Sequence, residues 1–332
     1  MFKKVFVPAA LAVGFVGAAQ AQMTIYGLID MSYGKSLQSD VFLGEKADFH
    51  SGGDNSSSEG NSTTRIGIKG STDVGQGIKA NFRFETGGIE SNGAVNNNGP
   101  FFSRQAWAGF SGNWGEVRLG RQDSVPFQVM TAFDFNGASN GVSAGAYSGV
   151  GVWARGRQSR SLQYISPSFG DFSGQVGIVP KGNRGPGAKA VASGAVKYAS
   201  GPIAAAVSFQ TKDSETTKDF ASVAGSYDFG FLKAMVGYAD GGKFTSGGTG
   251  HGPSLGVTVP VAGFNIGAHY AQNLDDDIKV KSAELWVNKE ILKNTYAYVE
   301  AGHWKTSLAV NPYDALAKRS GTGYAAGVIW TF

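Results

Sequence analysis

Ile78-Lys79-Ala80-Asn81-Phe82-Arg83-Phe84-Glu85 alternates without a break. In an extended chain Ile78, Ala80, Phe82 and Phe84 share one face, and Lys79, Asn81, Arg83 and Glu85 share the other. The period is two, that of a strand, where a helix would repeat about every 3.6 residues. A strand with lipid on one side and water on the other reads this way. One face of a sheet resting on a soluble core predicts the same alternation, so a single strand leaves both readings open.

The full set of strands separates them. Thr24–Tyr33 carries Ile25, Ile29, Met31 and Tyr33 on one side and Tyr26 and Asp30 on the other. Arg65–Gly70 alternates around Ile66 and Ile68, and Glu116–Gly120 around Val117 and Leu119. Arg104–Phe110 lies between them, and Arg157–Ile165 follows with Leu162 and Tyr164 outward. Further strands are expected over Phe172–Val179, Val191–Tyr198, Ile203–Gln210, Ala221–Asp228, Phe231–Ala239, Ser254–Val259, Phe264–Tyr270, Val280–Asn288, Thr295–Ala301 and Tyr324–Phe332. With Ile78–Glu85 the set comes to sixteen. Their connections alternate in length. Ser71–Gly77, Gly112–Gly115 and Pro260–Gly263 are short, whereas Gly34–Thr64, Gly87–Ser103, Gln122–Gly156, Asp240–Pro253 and Gly302–Gly323 are long and polar. Tight turns at one rim and long loops at the other are the pattern of an antiparallel transmembrane β-barrel. No linker divides the chain into domains.

Composition agrees. The 332 residues include 50 glycines, 22 phenylalanines and 12 tyrosines, and no cysteine. Glycine is costly in helices, and aromatics favour strands and membrane interfaces. No segment reaches the roughly 18 consecutive apolar residues of a membrane helix. A mean hydropathy of −0.13 suits a barrel in which only every second strand residue meets lipid. Lys3 and Lys4, the apolar Val5–Gly17 and Ala19-Gln20-Ala21 read as a secretory signal peptide over residues 1–21, cleaved before Gln22. The mature barrel domain, residues 22–332, then keeps 27 basic residues (29 less Lys3 and Lys4) against 25 acidic ones. That excess is too small to point to a nucleic-acid partner. At the other end Tyr324, Ala326, Val328, Trp330 and Phe332 share one face and finish on an aromatic. This is the C-terminal assembly signature of barrels in the outer membrane of Gram-negative bacteria, so the two ends together give the expected location.

Four stretches carry a resemblance to a known family: Thr24-Ile25-Tyr26-Gly27-Leu28-Ile29-Asp30; Arg65-Ile66-Gly67-Ile68-Lys69-Gly70 with Asp73-Val74-Gly75-Gln76-Gly77-Ile78-Lys79-Ala80; Ser103-Arg104-Gln105-Ala106-Trp107-Ala108-Gly109-Phe110; and Gly115-Glu116-Val117-Arg118-Leu119-Gly120-Arg121-Gln122. In this order the chain resembles the general trimeric porins, especially those of β-proteobacteria, over essentially its whole mature length. The resemblance implies a sixteen-stranded barrel, a homotrimer in outer-membrane lipid, and passive diffusion of ions and small hydrophilic solutes. It also implies a third external loop that folds into the lumen, for which Gln122–Gly156 is the candidate. A connection of that length otherwise calls for a function.

A diffusion channel needs a watery lumen, a size limit and a field. Fixed charges in a narrow, low-dielectric-walled pore sort ions because field lines are focused there. Arg65, Arg83, Arg104 and Arg157 are expected on the polar faces of their strands, at positions resembling the basic cluster of the porin family. Arginine keeps its charge beside other cations. Asp123 and Asp134 in the third loop are the expected acidic side of the constriction, and anion preference follows. The alternative is a substrate-selective channel for a small anionic or sugar solute, with Tyr26, Trp286, Tyr296 and Tyr298 facing inward. Catalysis is not expected. The chain has four histidines and no Gly-x-Ser-x-Gly elbow, and Asp275-Asp276-Asp277 lacks calcium-loop spacing, so neither metal nor cofactor is implied. Secretion should leave a chain that begins at Gln22. Intact-mass spectrometry of the protein taken from outer membranes checks this, and a species retaining residues 1–21 would contradict it.

Overall fold

A computed structural model describes residues 22–95, 99–150, 156–243, 249–275, 279–307 and 320–332. The expected signal peptide, residues 1–21, and Asp276 and Asp277 lie outside the described residues. Successive strands are β1 (Gln22–Lys35), β2 (Asp48–Ser51), β3 (Arg65–Gly75), β4 (Ile78–Gly87), β5 (Gln105–Gly112), β6 (Gly115–Asp123), β7 (Arg157–Ile165), β8 (Phe172–Val179) and β9 (Val191–Ser200). They continue as β10 (Ile203–Gln210), β11 (Phe220–Asp228), β12 (Lys233–Asp240), β13 (His251–Val261), β14 (Phe264–Asn273), β15 (Val280–Leu292), β16 (Thr295–Thr306) and β17 (Ser320–Thr331). From β3 onward each pairs antiparallel with the next, and β1 pairs with both β3 and β17. The sheet therefore closes on itself. Of its seventeen strands sixteen form the wall, and β2 is an addition at the rim.

Closure is made by the last residue. Leu28 faces Thr331 across the seam, the Gly27 amide donates to the Phe332 carbonyl at 3.0 Å, and the Phe332 amide donates back to the Gly27 carbonyl at 3.2 Å. The strand edges are thereby paired, as a wall in hydrocarbon requires. Outside, the side chains are apolar and bare: Leu119 is 60% exposed, Val236 59% and Leu285 63%. A soluble protein would not present such a belt to water. Tyr324, Ala326, Val328, Trp330 and Phe332 all lie on this outer face. Inside, Asp30, Glu85, Gln163, Glu284 and Glu300 are buried. The alternation of Ile78–Glu85 thus separates an outer Phe82 and Phe84 from an inner Asn81, Arg83 and Glu85. Asn81 spans to Ser71 and Ser111 on the neighbouring strands at 2.8 Å each.

The sixteen expected strands all form, most with longer ends. Three local details differ from the sequence reading. Phe231 falls in the turn before β12 and is exposed, because the Phe229 amide bonds to the Leu232 carbonyl there. β2 was not foreseen. β1 pairs with β3 only as far as Leu28, and β2 covers the edge left free at Met31–Gly34. The long connection after β6 is not structureless. It holds a helix, Val125–Ala132, whose Ser124 hydroxyl caps the Phe127 amide at 3.2 Å with Pro126 in the first turn, and a helical turn at Ala144–Tyr147.

Gly34 sits where β1 meets β17, and a Cβ there would lie 2.0 Å from the Tyr324 carbonyl oxygen. Gly34→Ala should therefore force the seam apart and cost about 1–3 kcal/mol, the usual range for overpacking. A lower denaturant midpoint for loss of the folded barrel, followed by gel mobility, checks this.

Candidate functional site

Arg65, Arg104, Arg121 and Arg157 line one cavity of about 500 Å³ with Asp123 and Phe127. Arg65 opens β3, and its Nη1 donates to the Thr63 carbonyl at 3.1 Å. No carboxylate lies within ion-pair distance of Arg65 among the described residues. Arg157 opens β7, with Nε 3.1 Å from Asp123 Oδ1 and the guanidinium 5.6 Å from the Phe127 ring centre. Arg104 stands just before β5 and not, as expected, on the polar face of its strand. It has the parity of the outward Ala106 and Ala108, yet it curls over the strand end and bonds Glu85 Oε1 through Nε at 2.6 Å.

Arg121 is the residue that alternation misses. It has the outward parity of Val117 and Leu119. A bulge interrupts the β6–β7 ladder between Gly120 and Gln122, with Arg160 at a φ of 57° on the opposite strand. The irregularity frees Arg121 to donate to the Ser103 carbonyl at 2.5 Å and to Ser159 Oγ at 2.9 Å. Nothing in the local period signals this. Arg83 stays outside the cavity, nearer the short turns. Its Nη2 bonds Glu85 Oε2 and its Nε bonds the Tyr26 hydroxyl, both at 2.6 Å. Glu85 thus holds Arg83 and Arg104 together from a position only 1% exposed. Among the described residues the cavity has four guanidiniums against the one carboxylate of Asp123.

The segment after β6 meets the inner face of the wall in two places. Val125, Val129 and Phe133 of the first part pack on Ala195, Ala206 and Ala224 of β9, β10 and β11. Small residues on those strands leave room for the helix. Farther on, Asn136 Nδ2 donates to Glu284 Oε2 at 2.8 Å and to Glu300 Oε2 at 3.0 Å, and Ser139 Oγ donates to Glu300 Oε1 at 2.8 Å. Asn61 Nδ2, from the first long loop, also donates to Glu300 Oε2, at 2.9 Å. The Trp304 indole donates to the Tyr147 carbonyl at 2.9 Å. Burial beside Glu59 pushes the Tyr147 hydroxyl upward, so it stays protonated and donates to the Asn140 carbonyl at 2.9 Å. Asp134 belongs to this anchor and not to the arginine cavity. It is buried, accepts from the Ser143 hydroxyl at 2.9 Å and faces His269. Glu284 and Glu300 share the inward parity of Trp286 and Tyr298, but nothing in the sequence marks the loop partners they serve.

The profile of the Gram-negative porin family matches residues 9–307. The chain is 30% identical over 288 residues to outer membrane porin protein 32 of Delftia acidovorans, covering 79% of this chain and 77% of that one. It is 28% identical over 310 residues to an outer membrane porin protein of Bordetella pertussis, covering 84% and 79% respectively. A solved structure of the anion-selective porin from Comamonas acidovorans superposes with a TM-score of 0.75 at 24% identity, over 94% of this chain and 100% of that one. A solved Salmonella typhi OmpF superposes at 0.69, with 14% identity over 96% and 99%. The chain therefore belongs to the Gram-negative porins. It is a β-barrel of the outer membrane that forms a water-filled channel for passive diffusion.

Asn136→Ala leaves buried carboxylate oxygens of Glu284 and Glu300 short of a donor, at about 1–3 kcal/mol. Amide hydrogen exchange in residues 124–148 should speed up while exchange in the wall strands stays unchanged.

Proposed function

We propose that the channel is a general diffusion porin that prefers anions, with the arginine-lined cavity as its constriction. The observation that carries this reading is the charge of that cavity, four arginines against Asp123. Arg65 and Arg121 have no ion-pair partner among the described residues, so their field reaches the water beside them. The segment at 124–148 forms the other side of the constriction and sets its width. Ions and small hydrophilic solutes pass without a fixed binding step, and anions enter at higher local concentration. The Comamonas acidovorans porin of the same fold is described as anion-selective. At 24% identity that likeness concerns the fold, and the selectivity of this chain rests on its own charges.

A sugar-selective path would need exposed aromatics along the lumen. Trp286 and Tyr298 are instead buried, Tyr26 is engaged by Arg83 and Glu85, and Tyr296 alone of the four is exposed, which makes no continuous path. The reading also includes assembly as a homotrimer in outer-membrane lipid, which family membership supports. Mass measurement of the detergent-solubilised protein tests that part.

Replacing Arg65 and Arg104 with glutamine should each lower the anion-to-cation permeability ratio by roughly twofold, the size of a ~0.5 kcal/mol change in field. Glu85→Gln should move the ratio the other way, because it removes the carboxylate beside Arg104. Reversal potentials in planar bilayers under a salt gradient read both signs, and unmoved potentials in all three variants would overturn the assignment.

A further inference from the structure

The anchor contains a group that the arginine constriction does not use. Asp134 of the segment after β6, His269 of β14 and Glu284 of β15 meet with their ligand atoms all within 4.8 Å of one another, and all three are buried. His269 Nδ1 lies 3.2 Å from Glu284 Oε1 and 3.7 Å from Asp134 Oδ2. In a tetrahedral zinc site, bonds of about 2.0–2.2 Å place neighbouring ligand atoms roughly 3.3–3.5 Å apart. The observed spacings bracket that range.

Charge points the same way. Neither Asp134 nor Glu284 pairs with a lysine or arginine among the described residues, and Asn136 links Glu284 to a further buried carboxylate, Glu300. Buried carboxylates without a cation are costly, and a histidine can offset at most one of them. The carboxylates are also held in place as metal ligands usually are. The Ser143 hydroxyl bonds Asp134 Oδ2 at 2.9 Å, and the Ala144 amide bonds Glu284 Oε1 at 2.9 Å. An independent observation comes from the imidazole. His269 is 4% exposed, and its Nε2 has no hydrogen-bond partner. His269, Asp134 and Ser254 are the polar residues lining a small void of about 10 Å³ whose other walls are mostly apolar. The ring thus has one nitrogen toward the carboxylates and the other without a partner.

We propose that Asp134, His269 and Glu284 form a site for a divalent transition cation of the Zn²⁺ class, which fastens the constriction segment to the barrel wall. Two carboxylates and a neutral imidazole balance the charge of such an ion, and a water completes four-coordination. His269 and Glu284 sit on paired strands, directly opposite each other, so the wall supplies a rigid half of the site. Asp134 supplies the half that moves with the loop. The proposal stands apart from the anion preference, which depends on other residues.

The test uses the full mature protein, stripped with chelator and refolded in detergent with Zn²⁺ or Co²⁺. One ion should be retained per protomer, and Co²⁺ should give the visible absorption of a low-coordinate nitrogen–oxygen site. His269→Gln should abolish retention, and Asp134→Asn should weaken it by at least about tenfold. His303→Gln, on the outer face, should leave it unchanged. Zn²⁺ should also slow proteolytic cleavage within residues 124–148 in the unmodified protein and not in Asp134→Asn. Asp134→Asn keeps the wall intact, so it serves even if His269→Gln fails to fold. No retained ion, or retention equal in Asp134→Asn and the unmodified protein, would overturn the site and leave shared protons as what holds the two carboxylates together.

Discussion

Hydrocarbon offers no partner to a backbone amide. A chain that crosses it in strands must therefore pair every edge, and the only sheet without edges is one that returns to its own beginning. The reciprocal bonds between Gly27 and Phe332 do that here, and β2 deals with the stretch of β1 that β3 leaves uncovered. Much else follows from closure. An inward face is created that lipid cannot reach, so polar groups placed there meet water or each other. The outward face is freed to be apolar without making the protein insoluble in its own solvent.

The inward face is not uniform. Along β9–β11 it carries alanines, and a helix rests on them. Along β15 and β16 it carries carboxylates, and loop amides and hydroxyls converge on them. Between β3 and β7 it carries guanidiniums, of which Arg83, Arg104 and Arg157 are paired with Glu85 and Asp123, while Arg65 and Arg121 have no carboxylate partner among the described residues. These three surfaces divide the labour. Apolar contact sets where the crossing segment lies, directed hydrogen bonds fix its far side, and the unneutralised charge is left facing the remaining space.

Alternation made the wall legible in the sequence. Each of the sixteen strands repeats the pattern of Ile78–Glu85, and local period is what a two-faced strand imposes. The positions of Arg65, Arg157 and Asp123 in one cavity follow from strand order and ends. What defeats the method is interruption of the period. Arg121 keeps an outward parity yet reaches the cavity edge beside the bulge, and Arg104 escapes its parity by standing before its strand. Asp134 was placed with the arginines because a loop has no period. Its true partners, His269 and Glu284, lie more than 130 residues away in sequence.

The bulge opposite Arg121 also works as a depth mark. Toward the short turns the outward residues beside it are Val117, Leu119, Leu162 and Tyr164. Past it they become Ser159 and the exposed Arg160, side chains that belong among lipid headgroups. The outward apolar run therefore ends at this level on the β6–β7 side. A lipid headgroup at the bulge would meet a cation, while the acyl chains beside it meet Leu119 and Leu162.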